Sequence, residues 1–383
     1  MGLLLPLFFT QMIIAVNTRL QKSQQPDGFE DFIFDLLEKL TEKYPRHQFI
    51  YIFDKPYTGN RVFAKNVLPV VTIPQTTGNL RLQYWFNFKV PKLLRRHRAD
   101  VFLSFEGICS IRTKKPQCLL VSHTAWQQSF QMQKKWVHSF YRKFMPVFLT
   151  KAKSIVAVSD FIKKELEEKY SVASKKIELL YPGIDENFKP LDWEQAEAIR
   201  DKYTDGKSYF LFSGNINKHS NYINLLKAFT FFKKRQKSNM LLLFAGNPDE
   251  QFLQDLKTYK LKNEVKLLQG LSVKETAHVT AAAYAMVNPT RLTGLINPIL
   301  QAMQCHVPVI VADTDAMQSA YEQAVVYCNP AQVEDIANKM MLIYKDEEKA
   351  KALVEAANRL IKKHNWDNTV QTLMQCLQNA ANS

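Results

Sequence analysis

At 383 residues, with 46% hydrophobic and 12% aromatic content, the chain has room for two ordinary domains and is too apolar for a disordered or fibrous class. Lys and Arg number 51 against 36 Asp and Glu, a formal charge of +15 that suits an anionic partner: a phosphorylated ligand, a lipid surface or nucleic acid. Five scattered cysteines (Cys109, Cys118, Cys305, Cys328, Cys376), with no C-x-x-C pair, argue against a disulfide framework or a zinc site and fit reduced thiols in a cytosolic core.

The first eleven residues, MGLLLPLFFTQ, hold an apolar run too short to span a bilayer and no basic segment ahead of it, so a tail or extended start is expected there. From Met12 the pattern alternates short apolar strands with amphipathic helices. MIIAVN is followed by FEDFIFDLLEKLTEKY, whose Phe29, Phe32, Ile33, Leu36, Leu37 and Leu40 share one helix face. QFIYIFD, VFLSF, QCLLVS, SIVAVS and KIELLYP read as further strands, with helices such as KKWVHSFYRKFMPVFLTKA and DFIKKELEEKY between them. Asp160 is the expected N-cap of the latter. Residues 183–206, rich in Pro, Gly and charge, read as a linker.

Beyond the linker the alternation restarts with SYFLFSG, NMLLLFAG, EVKLLQG, AYAMVNP, VPVIVAD and AVVYCNP as strands. Near-continuous apolar strands separated by helices imply α/β architecture with parallel sheets covered on both faces. The expected organisation is two doubly wound, Rossmann-like domains, 12–182 and 207–350, followed by C-terminal helices over 351–383 that cross back to the first domain. Such sheets bind ligands at the carboxyl ends of their strands, so a cleft between the domains is the expected site.

Four segments carry a resemblance: GIDENFKPL, YFLFSGNINKHSNYINLLKAF, GLSVKETAHVTAAAYAMVNPT and NPILQAMQCHVPVIVAD. In this order and spacing the chain resembles the retaining nucleotide-sugar glycosyltransferases of the GT-B fold, family 4, from Met12 to the C-terminal helices. The resemblance implies sugar transfer from a nucleotide sugar to a glycan or lipid-linked acceptor, with no cofactor and no metal. Gly214, Gly270 and Gly294 fall at donor-binding positions of that pattern.

The other family positions are altered. The Gly-rich loop after the first strand is reduced to Gly28 in QPDGFED, where Glu30 and Asp31 would repel a diphosphate and an ordinary helix start capped by Asp27 accounts for the segment. His123 stands where the resemblance implies contact with sugar hydroxyls, although Thr124 replaces the customary acid and a lone His is often structural. Where the family has an Arg-Lys pair facing the leaving diphosphate, this chain has His219 and Ser220, with Lys218 one place earlier. Lys218 substitutes in part, and His219 helps only if protonated; helix amides around Asn221 could still cradle an anion.

The two family Glu, seven residues apart, are Thr293 and Gln301 here. Thr cannot stabilise an oxocarbenium-like transition state electrostatically, and Gln can accept at only one oxygen where the family carboxylate holds both ribose hydroxyls. Between them lie Leu295, Ile296 and Asn297, the last two bulkier than usual; His306 replaces a customary Gly, and Gln318 and Ser319 replace a Pro-Glu pair. The expectation is a retained mould with weakened or lost catalysis. The alternative is an inactive homologue serving as binding or scaffold partner of an active transferase. A third reading is a surface-binding protein: basic, apolar stretches at 89–98 and 141–153 suit an anionic leaflet, which would make the chain cytoplasmic and peripheral on the inner face of the membrane. Nucleic acid ranks last, for want of a reader motif.

Overall fold

The structure, a computed structural model, describes residues 11–19, 28–57, 62–105, 107–122, 135–290 and 297–383. The chain forms two compact units. The first holds residues 32–180 with the strand before them and returns at 369–383; the second spans 181–368 and also takes in residues 28–31.

In the first unit the order is β1 (Ile13–Asn17), α1 (Gly28–Lys43), β2 (Gln48–Phe53), β3 (Val67–Val71), α2 (Asn79–Tyr84), a π-helical turn (Trp85–Lys89), α3 (Val90–Arg96), β4 (Val101–Ser104), β5 (Gln117–Val121), α4 (Lys135–Lys151), β6 (Ser154–Ala157), α5 (Asp160–Tyr170) and β7 (Ile177–Leu179). The sheet runs β3-β2-β1-β4-β5-β6-β7, parallel throughout. Phe32, Ile33, Leu36, Leu37 and Leu40 of α1 are all buried, as the helical period requires. Sequence reading missed β3, an edge strand with half-exposed residues whose Pro69 breaks the strand pattern and is tolerated only at an edge. Asp160 is not the cap of α5: Ser159 is, its hydroxyl accepting from the Ile162 amide, and Asp160 supplies first-turn charge instead.

The second unit runs α6 (Trp193–Thr204), β8 (Tyr209–Ser213), α7 (Tyr222–Gln236), β9 (Leu241–Ala245), α8 (Glu250–Thr258), β10 (Val265–Leu268), α9 (Val273–Ala281), β11 (Ala285–Asn288), α10 (Asn297–Gln304), β12 (Val309–Ala312), α11 (Asp315–Tyr321), β13 (Val326–Cys328), α12 (Val333–Lys345) and α13 (Glu347–Leu360), before α14 (Trp366–Ala381) carries the chain back to the first unit. Its sheet order is β10-β9-β8-β11-β12-β13, again all parallel. Both faces are packed, which is why these strands read as continuous apolar runs. Phe210, Phe212, Leu242 and Phe244 enter one core; Tyr209, Leu211, Leu241 and Leu243 enter the other. Half of the stretch read as a linker is helical. Asp192 caps α6 by accepting from the Gln195 amide, and Ala196, Ile199 and Tyr203 pack on the second core, a stripe that the surrounding charges hide in the sequence.

Candidate functional site

In the second sheet the strand order reverses between β8 and β11, so the loops leaving these strands diverge at their carboxyl ends and open a crevice. Gly214 follows β8 with φ 126° and donates from its amide to the Ala245 carbonyl (3.0 Å). Gly246 follows β9 with φ 149°, and a Cβ placed on it would lie 1.9 Å from the Gly214 oxygen. The close approach requires glycine at 246, whereas at 214 it is the positive φ that favours glycine. Sequence reasoning singled out Gly214 and passed over Gly246, although both end an apolar strand. The staple continues through the Ile216 amide to the Asn247 carbonyl (3.0 Å) and the Asp249 amide to the Ile216 carbonyl (2.8 Å).

Gly214 also faces the first turn of α10: an added Cβ would meet Pro298 Cγ at 3.8 Å. Asn297 and Gln301 are four residues apart on that helix, both half-buried, while Ile299, Leu300, Ala302 and Met303 face the core. Thus Gly214 and the first turn of α10 stand side by side at the carboxyl ends of the strands. Thr293 and Gly294 lie outside the described residues, as does His123 in the first unit.

The turn after Gly214 holds the positions where the resemblance implies cations. Ser220 is buried, and its hydroxyl donates to the Asn217 carbonyl (2.7 Å) while accepting from the Asn217 amide (3.3 Å). The His219 amide donates to Asn217 Oδ1 (2.9 Å). Burial, then the neighbouring Lys218 charge, lowers the His219 pKa below its ordinary value against a smaller opposing effect of Asp249. The turn thus disfavours the protonated form of His219, and the exposed Lys218 is its fixed cation.

Asn221, in the left-handed region at φ 60°, caps none of the first amides of α7 with its side chain. Its Nδ2 donates instead to the carbonyls of Pro289 (3.2 Å) and Pro330 (2.7 Å), tying the turn to the loops after β11 and β13. The first amides of α7 therefore take no cap from Asn221, and a helix start of this kind favours an anion. Gly270 follows the edge strand β10, two strands from β8, with open space where a Cβ would go. No described contact brings it to the crevice. Gly28 opens α1.

In the first unit, polar residues that sequence reasoning did not single out gather at the carboxyl ends of β1, β2 and β4. Asn17 Nδ2 donates to Ser104 Oγ (3.2 Å), and Thr76 donates to Asp54 through amide and hydroxyl. The buried hydroxyls of Thr18 and Ser122 have no partner among the described residues. The basic segments 89–98 and 141–153 turn most of their apolar side chains inward: Val90, Leu94, Tyr141, Met145, Phe148 and Leu149 belong to the core, while Val147 is exposed. All five cysteines are free and buried. Among the described residues no group of three or more His, Cys, Asp or Glu could hold a metal, and no helix is long and apolar enough to cross a membrane.

Comparison with known proteins places this geometry in a family. The glycosyltransferase family 4 model matches residues 26–188, and the glycosyl transferases group 1 model matches residues 195–360. The O-antigen chain mannosyltransferase RfbU of Salmonella typhimurium is 24% identical over 327 residues, covering 81% of this chain and 85% of that protein. Among solved structures, HepE of Anabaena in complex with UDP and glucose superposes with a TM-score of 0.73 at 14% identity, over 96% of this chain and 100% of that one. WaaG, a glycosyltransferase involved in lipopolysaccharide biosynthesis, superposes with a TM-score of 0.74 at 14% identity, over 95% and 99%. The chain belongs to the group 1 glycosyltransferases of the GT-B fold.

Proposed function

We propose that the second unit binds a nucleotide sugar at the carboxyl ends of β8, β9 and β11, and that the chain transfers the sugar slowly or not at all. The observation that carries this reading is the turn 217–221. It leads into the N-terminus of α7, where backbone amides favour an anion, yet Ser220 is consumed by the turn and His219 disfavours its proton, leaving Lys218 to face a diphosphate. Catalysis needs that charge most as the glycosidic bond breaks and negative charge builds on the leaving group. Each missing charge-assisted bond is worth roughly 1.5–3 kcal/mol, so losing two weakens diphosphate binding by roughly two to four orders of magnitude.

Calorimetric titration with UDP, GDP, UDP-glucose and a mannosyl nucleotide, paired with a turnover assay, tests the reading. Weak binding without turnover is expected. Turnover at about 1 per second or faster would overturn it and return the catalytic roles to a shifted set of His123, Lys218, His219 and Gln301. Absence of any nucleotide binding would favour the scaffold role, in which the shape serves an active transferase or a glycan.

A further inference from the structure

The positive charge of this chain is not spread over the molecule. Residues 1–180 hold 28 Lys and Arg against 14 Asp and Glu, whereas residues 181–383 hold 23 against 22. Within the first unit the charge is densest over residues 81–115, with nine Lys and Arg against Asp100 and Glu106. That stretch begins on the continuous helix formed by α2, the π-helical turn and α3.

One side of this helix is core. Leu82, Trp85, Phe86, Val90 and Leu94 are buried, and Trp85 Nε1 donates to the Thr72 carbonyl (3.2 Å). The other side is apolar as well and faces outward: Leu80 is 84% exposed, Tyr84 45% and Phe88 48%. These three follow one another at four-residue steps. An α-helix would rotate the stripe by about 40° at each step, and the wider π turn offsets that drift between the last two. The Tyr84 and Phe88 rings accordingly stack, with centroids 5.3 Å apart.

Cations are built onto this stripe. The Arg112 guanidinium lies 4.3 Å from the Phe88 ring centroid, and Lys89 Nζ lies 5.8 Å from that of Tyr84. Arg112 is placed there by its neighbour, because the Ile111 amide donates to Asn87 Oδ1 in the π turn (2.8 Å). Exposed aromatic side chains in line, each flanked by a cation, cost solubility and add nothing to the core. Their chemistry is that of an interfacial helix, with aromatic rings at headgroup depth and cations against anionic phosphates.

We propose that the Leu80–Tyr84–Phe88 stripe, with Lys89 and Arg112, docks the first unit on an anionic lipid bilayer. The surface is the outward face of the helix whose other face enters the core, it takes Lys89 alone from segment 89–98, and it shares no residue with the nucleotide crevice.

The test is co-sedimentation with phosphatidylcholine vesicles and with vesicles in which about a third of the lipid is phosphatidylglycerol. Binding to the anionic vesicles is expected to exceed neutral binding at least about tenfold, and to fall as salt rises and screens the charges. Tyr84→Ser with Phe88→Ser keeps the charge and is expected to remove most of the binding, while Trp193→Ser, at an exposed aromatic of the second unit, leaves it unchanged. Should the double variant fail to fold, a fluorophore on Leu80→Cys gives a second readout, because the five native thiols are buried. It is expected to shift to the blue on anionic vesicles, and one on Val147→Cys is not. Equal binding to neutral and anionic vesicles overturns the proposal, as does full binding by the folded double variant or an unshifted Leu80 probe. So does vesicle binding no higher than background, the result expected of a patch that serves a protein partner.

Discussion

Ser220 and His219 show how little of a side chain's role is carried by its identity alone. The sequence reveals that neither is the expected Arg or Lys, but not that Ser220 has become part of the turn itself. Its two hydrogen bonds to Asn217 make Ser220→Ala a stability change of about 1–2 kcal/mol, read by urea unfolding. A lysine cannot occupy that buried slot with its charge solvated, so His219→Arg alone should tighten UDP binding more than His219→Arg combined with Ser220→Lys. His219 also has a pH signature. Its folded pKa lies below the ordinary 6.5, so the folded state disfavours the proton, and its contribution to stability is present above 6.5 and lost as pH falls. Binding of a diphosphate runs the other way, since the cation that forms on acidification attracts it. Titrations of the wild type and His219→Asn should therefore coincide at pH 7.5 and separate below 6.5, the wild type binding tighter. Curves that already differ at pH 7.5 would mean a charged His219.

Among elements, the strand–helix alternation was legible because every interior strand is packed on both faces, and a strand buried on both faces leaves an unbroken apolar run. What the pattern could not show were the elements whose signal is mixed: β3 with its edge proline, and α6 under its surface charge. Strand ends were legible only in part. Gly214, Gly246 and Gly270 each close an apolar run, yet sheet order alone decides that the first two meet and the third stands apart. His306 is a related case: it sits at φ 59° after α10, where Val307 bonds back to Ala302 and His306 to Met303 in a Schellman turn, so the customary glycine had a conformational reason. The contrast between glycines is testable. Gly246→Ala would drive a methyl to 1.9 Å from the Gly214 oxygen and must push β8 and β9 apart at their ends, costing at least about 3 kcal/mol and removing nucleotide binding. Gly270→Ala meets nothing and costs only about 1–2 kcal/mol for its positive φ, with binding unchanged. Thermal melts and calorimetry on the two variants separate these outcomes, and equal effects would remove Gly246 from the site.

For the whole molecule, the path of the chain makes the first unit depend on a segment that comes after the whole of the second. The chain enters the second unit at Tyr181 and leaves it after Asn368, and these two passages are fastened within that unit. His364 Nδ1 donates to the Pro182 carbonyl (2.9 Å), and Gly183 packs so tightly on Trp366 that a Cβ would lie 2.4 Å from its ring. From there α14 returns to the first unit and buries Val370, Leu373, Met374 and Leu377 completely or nearly so, with Cys376 beside Ser154 at the start of β6. Each such side chain is worth roughly 1.5–3 kcal/mol, so the four together contribute about 6–12 kcal/mol. That is comparable to the roughly 5–15 kcal/mol by which a whole domain is stable. Removing residues 369–383 should therefore unfold the first unit and leave the second, whose own cores draw on none of these four side chains. Hydrogen exchange on the shortened chain should show the amides of β1, β2, β4 and β5 unprotected and those of β8, β9, β11 and β12 protected. Retained protection in the first sheet would mean that its core closes without α14. Loss of protection in both sheets would mean that the two units fold as one, and that the fastening at His364 and Trp366 joins more than the ends of a single unit.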